Sequence, residues 1–318
     1  VQYLYTLQFF KFLIWKEDGY YKKNVTRYVF VKNIYQYKEI KIMSESVAYK
    51  LASRRFRSEN TVVEVNGLKI GDSNIISIAG PCVIDNEASL LEVAESILEA
   101  DILRAGAVKP RSSPYSFQGL RKDGFRILAS VSQKTGLPVV TEVMSAEQIK
   151  WALEYDIDIF QIGSRSMHSS ELLKAISKLK KPVLLKRGLS ATIEEFLLAA
   201  EYLLYGGNPN VILCLRGIRT YESYTRNTPD LCSVPVLKDL THLPVIFDPS
   251  HATGRRELVI RASKQAIAGG ADGLIVEVNN KPEETRCDGA QSLLPEQFIE
   301  MMSQVARIAE AVDRTMLT

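Results

Sequence analysis

Only four of 318 residues are cysteine (Cys82, Cys214, Cys232 and Cys287), and no two of them form a Cys-x-x-Cys pair. That scarcity argues against a disulfide framework and points to a reducing, cytoplasmic setting. Charge of one sign is also missing: 40 Lys+Arg against 37 Asp+Glu leave a formal +3, too little to argue for nucleic acid as a partner. Long apolar runs are absent. The most apolar N-terminal stretch, residues 3–15, is broken by Lys11 and is too short to span a bilayer. No small-residue cleavage site clearly follows it, so neither a membrane span nor a signal peptide is expected. No internal repeat is visible. Positive charge that matters must therefore be concentrated locally.

What is present is ordinary for a soluble globular chain, with 46% hydrophobic and 24% charged residues. The length suits one domain of barrel size plus a small appendage. Residues 1–42 hold half of the 14 tyrosines, and 27–31 and 35–42 have strand-like composition. Two readings stand side by side here: a small β-rich appendage, or extra translated sequence ahead of a start at Met43. Residues 44–59 read as basic and helical. Asn66-Gly67, between the β-prone stretches 61–65 and 68–70, signals a hairpin, placed to plug the bottom of whatever follows. The expected division is an N-terminal extension over 1–59 and a catalytic domain over 60–318 that includes the hairpin.

From residue 75 a rhythm sets in. Short apolar, β-branched runs at 75–78, 102–108, 138–143, 159–162, 183–185, 211–213, 244–247 and 273–278 alternate with amphipathic stretches such as 88–100, 146–155, 170–179, 192–205 and 257–268. Strands buried on both faces and alternating with helices are parallel βα units. Eight such units predict a closed (β/α)8 TIM barrel.

Each run ends in residues that a core would reject: Cys82; Arg104, Lys109 and Arg111; Glu142; Arg165; Lys186; Arg216; His251; Glu277. In a barrel the C-terminal strand ends share one mouth, where active sites form. One such charge alone is an ordinary solvated loop residue. A ring of cations repels itself unless an anion fills it, and Arg forks with Lys point charges suit phosphate. Cys82, His251 and Glu277 follow strands one, seven and eight, which are neighbours in a closed barrel, and Asp288 lies in the loop beyond. Thiolate, imidazole and carboxylates together would suit Fe²⁺, Mn²⁺ or Zn²⁺. On spacing alone, a buried small cysteine and a plain loop histidine stay open.

Seven motifs then occur in order: AGPC at 79–82, KPRSSPYSFQG at 109–119, QIGSR at 161–165, KRG at 186–188, RGIRT at 216–220, DPSHATGRR at 248–256 and DGAQSL at 288–293. In these the chain resembles the 3-deoxy-D-arabino-heptulosonate 7-phosphate synthases, of the branch related to the 3-deoxy-D-manno-octulosonate 8-phosphate synthases. The resemblance covers about residues 50–312. It implies condensation of phosphoenolpyruvate with erythrose 4-phosphate and water, releasing phosphate, at the start of aromatic amino-acid synthesis. It implies a divalent metal (Mn²⁺, Fe²⁺, Zn²⁺ or Co²⁺) held by Cys82, His251, Glu277 and Asp288. It further implies phosphoenolpyruvate contacts from Arg104, Lys109, Arg165, Lys186 and Arg216. Lys109, Arg111 and Ser112 would hold the sugar phosphate, and Lys109, Glu142 and His251 would act at the reacting centre. A homotetramer or homodimer is implied as well. KPRSS at 109–113 is the heptulosonate pattern; the octulosonate enzymes, which use arabinose 5-phosphate, carry an Asn-containing variant there.

The chain departs from the close pattern at Ala105, where a second Gly before Gly106 is usual, and at Ser166, Leu215 and Asn279; the segment 98–104 is short. The expectation at Ala105 is a methyl crowding the phosphate loop. The departures motivate a further reading, a catalytically weakened paralogue acting as a binding or regulatory subunit. Residues 1–42 match neither N-terminal regulatory domain found in relatives, and feedback inhibition by Tyr or Phe stays open.

Overall fold

The computed structural model describes residues 47–316; the readings of residues 1–42 lie outside them. The first regular feature is the expected hairpin, β1 (Val63–Val65) and β2 (Leu68–Ile70), antiparallel with Val65 opposite Leu68. Asn66 and Gly67 both take positive φ, 47° and 87°, the geometry of a two-residue turn that matches strand twist and suits Asn-Gly.

Then come the barrel strands: β3 (Asn74–Gly80), β4 (Ile102–Arg104), β5 (Val139–Glu142), β6 (Ile159–Ile162), β7 (Val183–Lys186), β8 (Val211–Leu215), β9 (Val245–Phe247) and β10 (Gly273–Glu277). Each is parallel to the next, and β10 pairs with β3 over Gly273–Glu277, so the sheet closes. A short β11 (Thr315–Met316) adds to the start of β3. Strands β4 to β10 are buried along their whole length, as parallel strands covered on both faces must be. Their inward side chains, among them Ile78, Ile102, Val140, Ile159, Leu184, Ile212, Ile246 and Ile275, form one cluster with Val63, Val65 and Ile70 of the hairpin. The hairpin therefore closes the bottom of the barrel with apolar side chains. Each such side chain contributes about 1.5–3 kcal/mol when fully buried.

The outer helices are α1 (Glu87–Ser96), α2 (Lys122–Thr135), α3 (Ala146–Glu154), α4 (Ser170–Ser177), α5 (Ile193–Tyr205), α6 (Ser233–Leu240), α7 (Pro249–Thr253), α8 (Arg256–Ala268) and α9 (Pro295–Ala311). Their starts are written locally: Asn86, Ser145, Ser169 and Asp248 each cap a helix through the side chain, and Thr192 with Glu195 forms a capping box. Helix α1 ends at Ser96 rather than at residue 100, and β4 has only three residues; together they absorb the short segment 98–104.

Residues 47–59 do not form the expected helix. They run as turns with one isolated bridge, Ser53 to Thr241. The reason is that their backbone groups are taken by the barrel: Leu51 and Ala52 N–H donate to the Glu201 carboxylate at 2.8 and 2.9 Å, and Arg54 N–H to the Leu240 carbonyl. Among the described residues, no helix is long and apolar enough to cross a membrane.

Candidate active site at the barrel mouth

The C-terminal strand ends surround a cavity of about 330 Å³. Arg104, Glu142 and Lys186 reach it from the last residues of β4, β5 and β7, and Arg216 from just past β8. Lys109, Arg111 and Ser112 enter from the loop after β4, and Arg165 from the loop after β6. His251, on α7, and Asp288 also line it. Cys82 and Glu277 lie behind it, each 1% exposed. All the residues expected at the site therefore meet at one mouth.

Charge in this cavity is unevenly compensated. Arg104 Nη1 lies 2.9 Å from Glu277 Oε1, and the Lys186 ammonium contacts Asp248. By contrast, Arg111 and Arg165 donate to the backbone carbonyls of Phe117, Arg286 and Pro110, and Arg216 to that of His251. The buried Nε of Arg216 has no partner among the described residues. A cavity with guanidinium groups held by neutral acceptors attracts anions. Lys109 Nζ sits 2.9 Å from Cys82 Sγ and 3.3 Å from its carbonyl oxygen.

Cys82, His251, Glu277 and Asp288 offer ligand atoms that all lie within 4.8 Å of one another. Asp288 Oδ2 is 3.2 Å from Cys82 Sγ, and Glu277 Oε1 is 3.2 Å from His251 Nε2. Asp248 accepts from His251 Nδ1 at 2.8 Å, which turns Nε2 toward the group, as a second carboxylate does for a ligating histidine. Burial lowers the His251 pKa and keeps the imidazole neutral despite Asp248 and Glu277. Burial pushes the carboxyls of Asp288 and Glu277 up, but Arg226 and His251 outweigh it at Asp288, and His251 and Arg104 at Glu277, so both stay below the usual carboxylate range. These three donors are thus in the form a cation takes. The Cys82 thiol is pushed well up by burial, by Cys287 and by Glu277, with Lys109 opposing. Cys214 has no such role: it faces the barrel core, and burial pushes its thiol up to about 12.

Four residues here carried no role in the sequence reading. Arg226 lines the cavity from the loop between β8 and α6. Gln291, within the DGAQSL motif, donates to Glu277. Cys287 Sγ lies 3.2 Å from Cys82 Sγ. Asp248 joins Lys186 to His251. Asp248 and Gln291 stand inside quoted motifs, which was the available signal; Arg226 had none.

The departures fall off the cavity wall. Ala105 is buried and is not among the residues that line it. Its neighbour Gly106 has no room for a side chain: a Cβ there would stand 2.5 Å from the Cys82 carbonyl oxygen. Leu215 ends β8 inside the core, Asn279 holds a turn through Lys281 N–H, and Ser166 closes a turn on Gly163.

Comparison with known proteins shows the family and the fold. The DAHP synthetase I family matches the chain over residues 56–314. A phospho-2-dehydro-3-deoxyheptonate aldolase of Thermotoga maritima is 47% identical over 266 residues, 83% of this chain and 78% of that protein. A 2-dehydro-3-deoxyphosphooctonate aldolase of Geotalea uraniireducens is 32% identical over 267 residues, 77% of this chain and 97% of that protein. A crystal structure of the Thermotoga maritima aldolase matches with TM-score 0.83 at 46% identity, covering 86% of this chain and 80% of that one. A truncated 3-deoxy-D-arabino-heptulosonate 7-phosphate synthase from the same organism matches with TM-score 0.78 at 42% identity, covering 85% and 99%.

Proposed function

The chain belongs to the DAHP synthetase I family, and from that membership we propose that it condenses phosphoenolpyruvate with erythrose 4-phosphate and water. The products are 3-deoxy-D-arabino-heptulosonate 7-phosphate and phosphate, which makes the protein a transferase at the first step of the shikimate pathway. The observation that carries this reading is the meeting of Arg104, Lys109, Arg165, Lys186 and Arg216 on one cavity beside the Cys82–His251–Glu277–Asp288 group.

Two phosphorylated substrates repel each other in water. Cationic side chains on rigid strand ends hold them together and in register, which removes much of the entropic cost of the encounter. Arg104, Lys186 and Arg216 suit phosphoenolpyruvate, deep in the cavity; Arg111 and Ser112 suit the sugar phosphate near its rim. Cys82, His251, Glu277 and Asp288 would hold the divalent cation, and their mixed S, N and O donors favour Mn²⁺, Fe²⁺, Zn²⁺ or Co²⁺ over Mg²⁺ or Ca²⁺. When bound, such a cation would supply Lewis acidity toward the sugar aldehyde. Water must also add to C2 and lose a proton. Glu142 suits that task, because its buried Oε1 has no other partner among the described residues. Lys109 and His251 complete the group of proton-handling candidates.

The division into an N-terminal extension over 1–59 and a catalytic domain over 60–318 is part of the proposal, although the compact unit that carries the barrel already begins at Tyr49; deleting residues 1–42 and measuring activity and assembly tests whether the extension matters. Assembly as a homodimer or homotetramer and a cytoplasmic location complete the proposal, with family membership as their support.

The test mixes purified protein and phosphoenolpyruvate with either erythrose 4-phosphate or arabinose 5-phosphate, with and without chelator, and follows loss of the enol. Turnover is expected only with the four-carbon sugar and only with metal. Consumption confined to arabinose 5-phosphate would assign the octulosonate reaction instead. No turnover with any divalent metal would leave a binding protein.

A further inference from the structure

We propose that Arg226 and Gln291 act as one clamp that positions both carboxylates of the candidate metal group, Glu277 and Asp288. The inference rests on the reading that this group holds a divalent cation.

Gln291 Nε2 donates to Glu277 Oε2 at 2.6 Å. The Gln291 Oε1 accepts from Arg226 Nη1 at 2.8 Å. The same Nη1 donates to Asp288 Oδ1 at 3.0 Å. One guanidinium nitrogen thus ties Asp288 directly and Glu277 through the amide. The division of oxygens is the informative part. The clamp takes Oε2 of Glu277 and Oδ1 of Asp288. The other oxygens face the remaining members of the group: Glu277 Oε1 toward His251 Nε2, where Arg104 Nη1 also reaches it at 2.9 Å, and Asp288 Oδ2 toward Cys82 Sγ, with Cys287 Sγ also 3.2 Å away. Each carboxylate is held by its back and presents its front.

Both clamp residues are themselves fixed. Gln291 is 2% exposed and ends a short 3-10 turn that follows Asp288. Arg226 N–H donates to the Thr253 carbonyl at 2.9 Å, which ties its loop to α7, the helix that bears His251. The Arg226 side chain lies so close to Gly254 that a Cβ there would stand 2.4 Å from Arg226 Cβ, and Gly254 has a φ of +66°. A side chain at residue 254 would push the arginine away.

The residue types follow from these contacts. Position 291 must donate to a carboxylate on one side and accept from a cation on the other, which an amide does and a carboxylate or alkyl group does not. A buried carboxylate left without its donor loses its orientation as well as a hydrogen bond. Arg226 and Gln291 are therefore positioning residues.

The test measures Co²⁺ affinity by chelator competition and records the Co²⁺ absorption spectrum for wild type, Arg226→Gln, Gln291→Met and the double variant. Each single variant is expected to weaken Co²⁺ binding by about 10–100-fold and to shift the ligand-field bands. The double variant should be little worse than the poorer single one, because the two residues act as a unit. Arg226 is partly exposed, so Arg226→Gln keeps the test informative if Gln291→Met folds poorly. Unchanged Co²⁺ affinity and spectrum in Arg226→Gln would overturn the clamp, as would full additivity. Cys82→Ala is the control on the underlying reading: if wild type and Cys82→Ala bind Co²⁺ alike, the metal group itself is wrong, a result distinct from failure of the clamp.

Discussion

Arg104 Nη1 lies 2.9 Å from Glu277 Oε1, and the two side chains are 6% and 1% exposed. A guanidinium on the anion cavity is thus bonded to a carboxylate of the candidate metal group. The two halves of the site share this contact, and its removal reaches both.

Arg104→Leu would strand Glu277 in the interior. Removing one partner of a buried pair costs about 3–5 kcal/mol, and urea denaturation of the metal-free protein should show a loss of that order. The pair Arg104→Leu with Glu277→Leu should cost clearly less than the sum of the single changes. Additive costs would mean that the contact carries no coupling.

Gly163→Ala isolates Glu142. A Cβ at residue 163 would stand 1.9 Å from Glu142 Oε1, and Gly163 is not among the positive-φ glycines, so the backbone accepts alanine. The flexible carboxylate must move instead. We expect a stability change within about 1–3 kcal/mol with a fall in kcat at least tenfold greater than any rise in KM for phosphoenolpyruvate. Wild-type kcat in this variant would remove Glu142 from the reacting centre.

The free thiols Cys82 and Cys287 are 3.2 Å apart, and a disulfide needs about 2.05 Å, a small movement of two side chains. Peroxide should take two electrons from the metal-free protein, joining the sulfurs and giving water. Thiol titration and peptide mapping should find this bond, Cys287→Ser should prevent it, and added Co²⁺ should slow it. Recovery of both cysteines as unlinked oxidation products would count against the geometry.

His242 makes stability depend on pH. Its Nε2 lies 2.7 Å from the Leu51 carbonyl oxygen, an acceptor only, so Nε2 carries the proton and Nδ1 accepts from Thr61 Oγ1, also at 2.7 Å. Burial lowers its pKa below the ordinary 6.5. The unfolded chain therefore takes up the proton first as pH falls. The favourable neutral form is fully present above about 6.5, and stability declines as pH drops from there toward the folded value. Denaturation midpoints between pH 8 and 5.5 should fall more steeply for wild type than for His242→Gln. Parallel slopes would refute the assignment.

Much of this was readable from the chain. Apolar runs such as 159–162 and 183–185 sit between amphipathic stretches, and a strand covered on both faces has no other composition open to it. Asn66-Gly67 named its own turn because few residues tolerate two successive positive φ values. Local composition reads residues 44–59 as helix, yet Glu201 and Leu240 take the backbone N–H groups of Leu51, Ala52 and Arg54. Partners more than a hundred residues away leave no local trace. The same holds for Arg226, whose neighbours suggest only a polar loop.

Taken alone, the sequence determined the eight βα units, the closing hairpin and the residue types at each strand end, because periodicity, turn chemistry and strand-end polarity are local properties. Which oxygen of Glu277 faces His251 and which is held by Gln291, why Gly106 has no room for a side chain, and how Arg104 joins the cation ring to the metal group were decided by closure of the barrel. Closure brings β3 against β10, and contacts between residues so far apart along the chain exist only once that pairing is made.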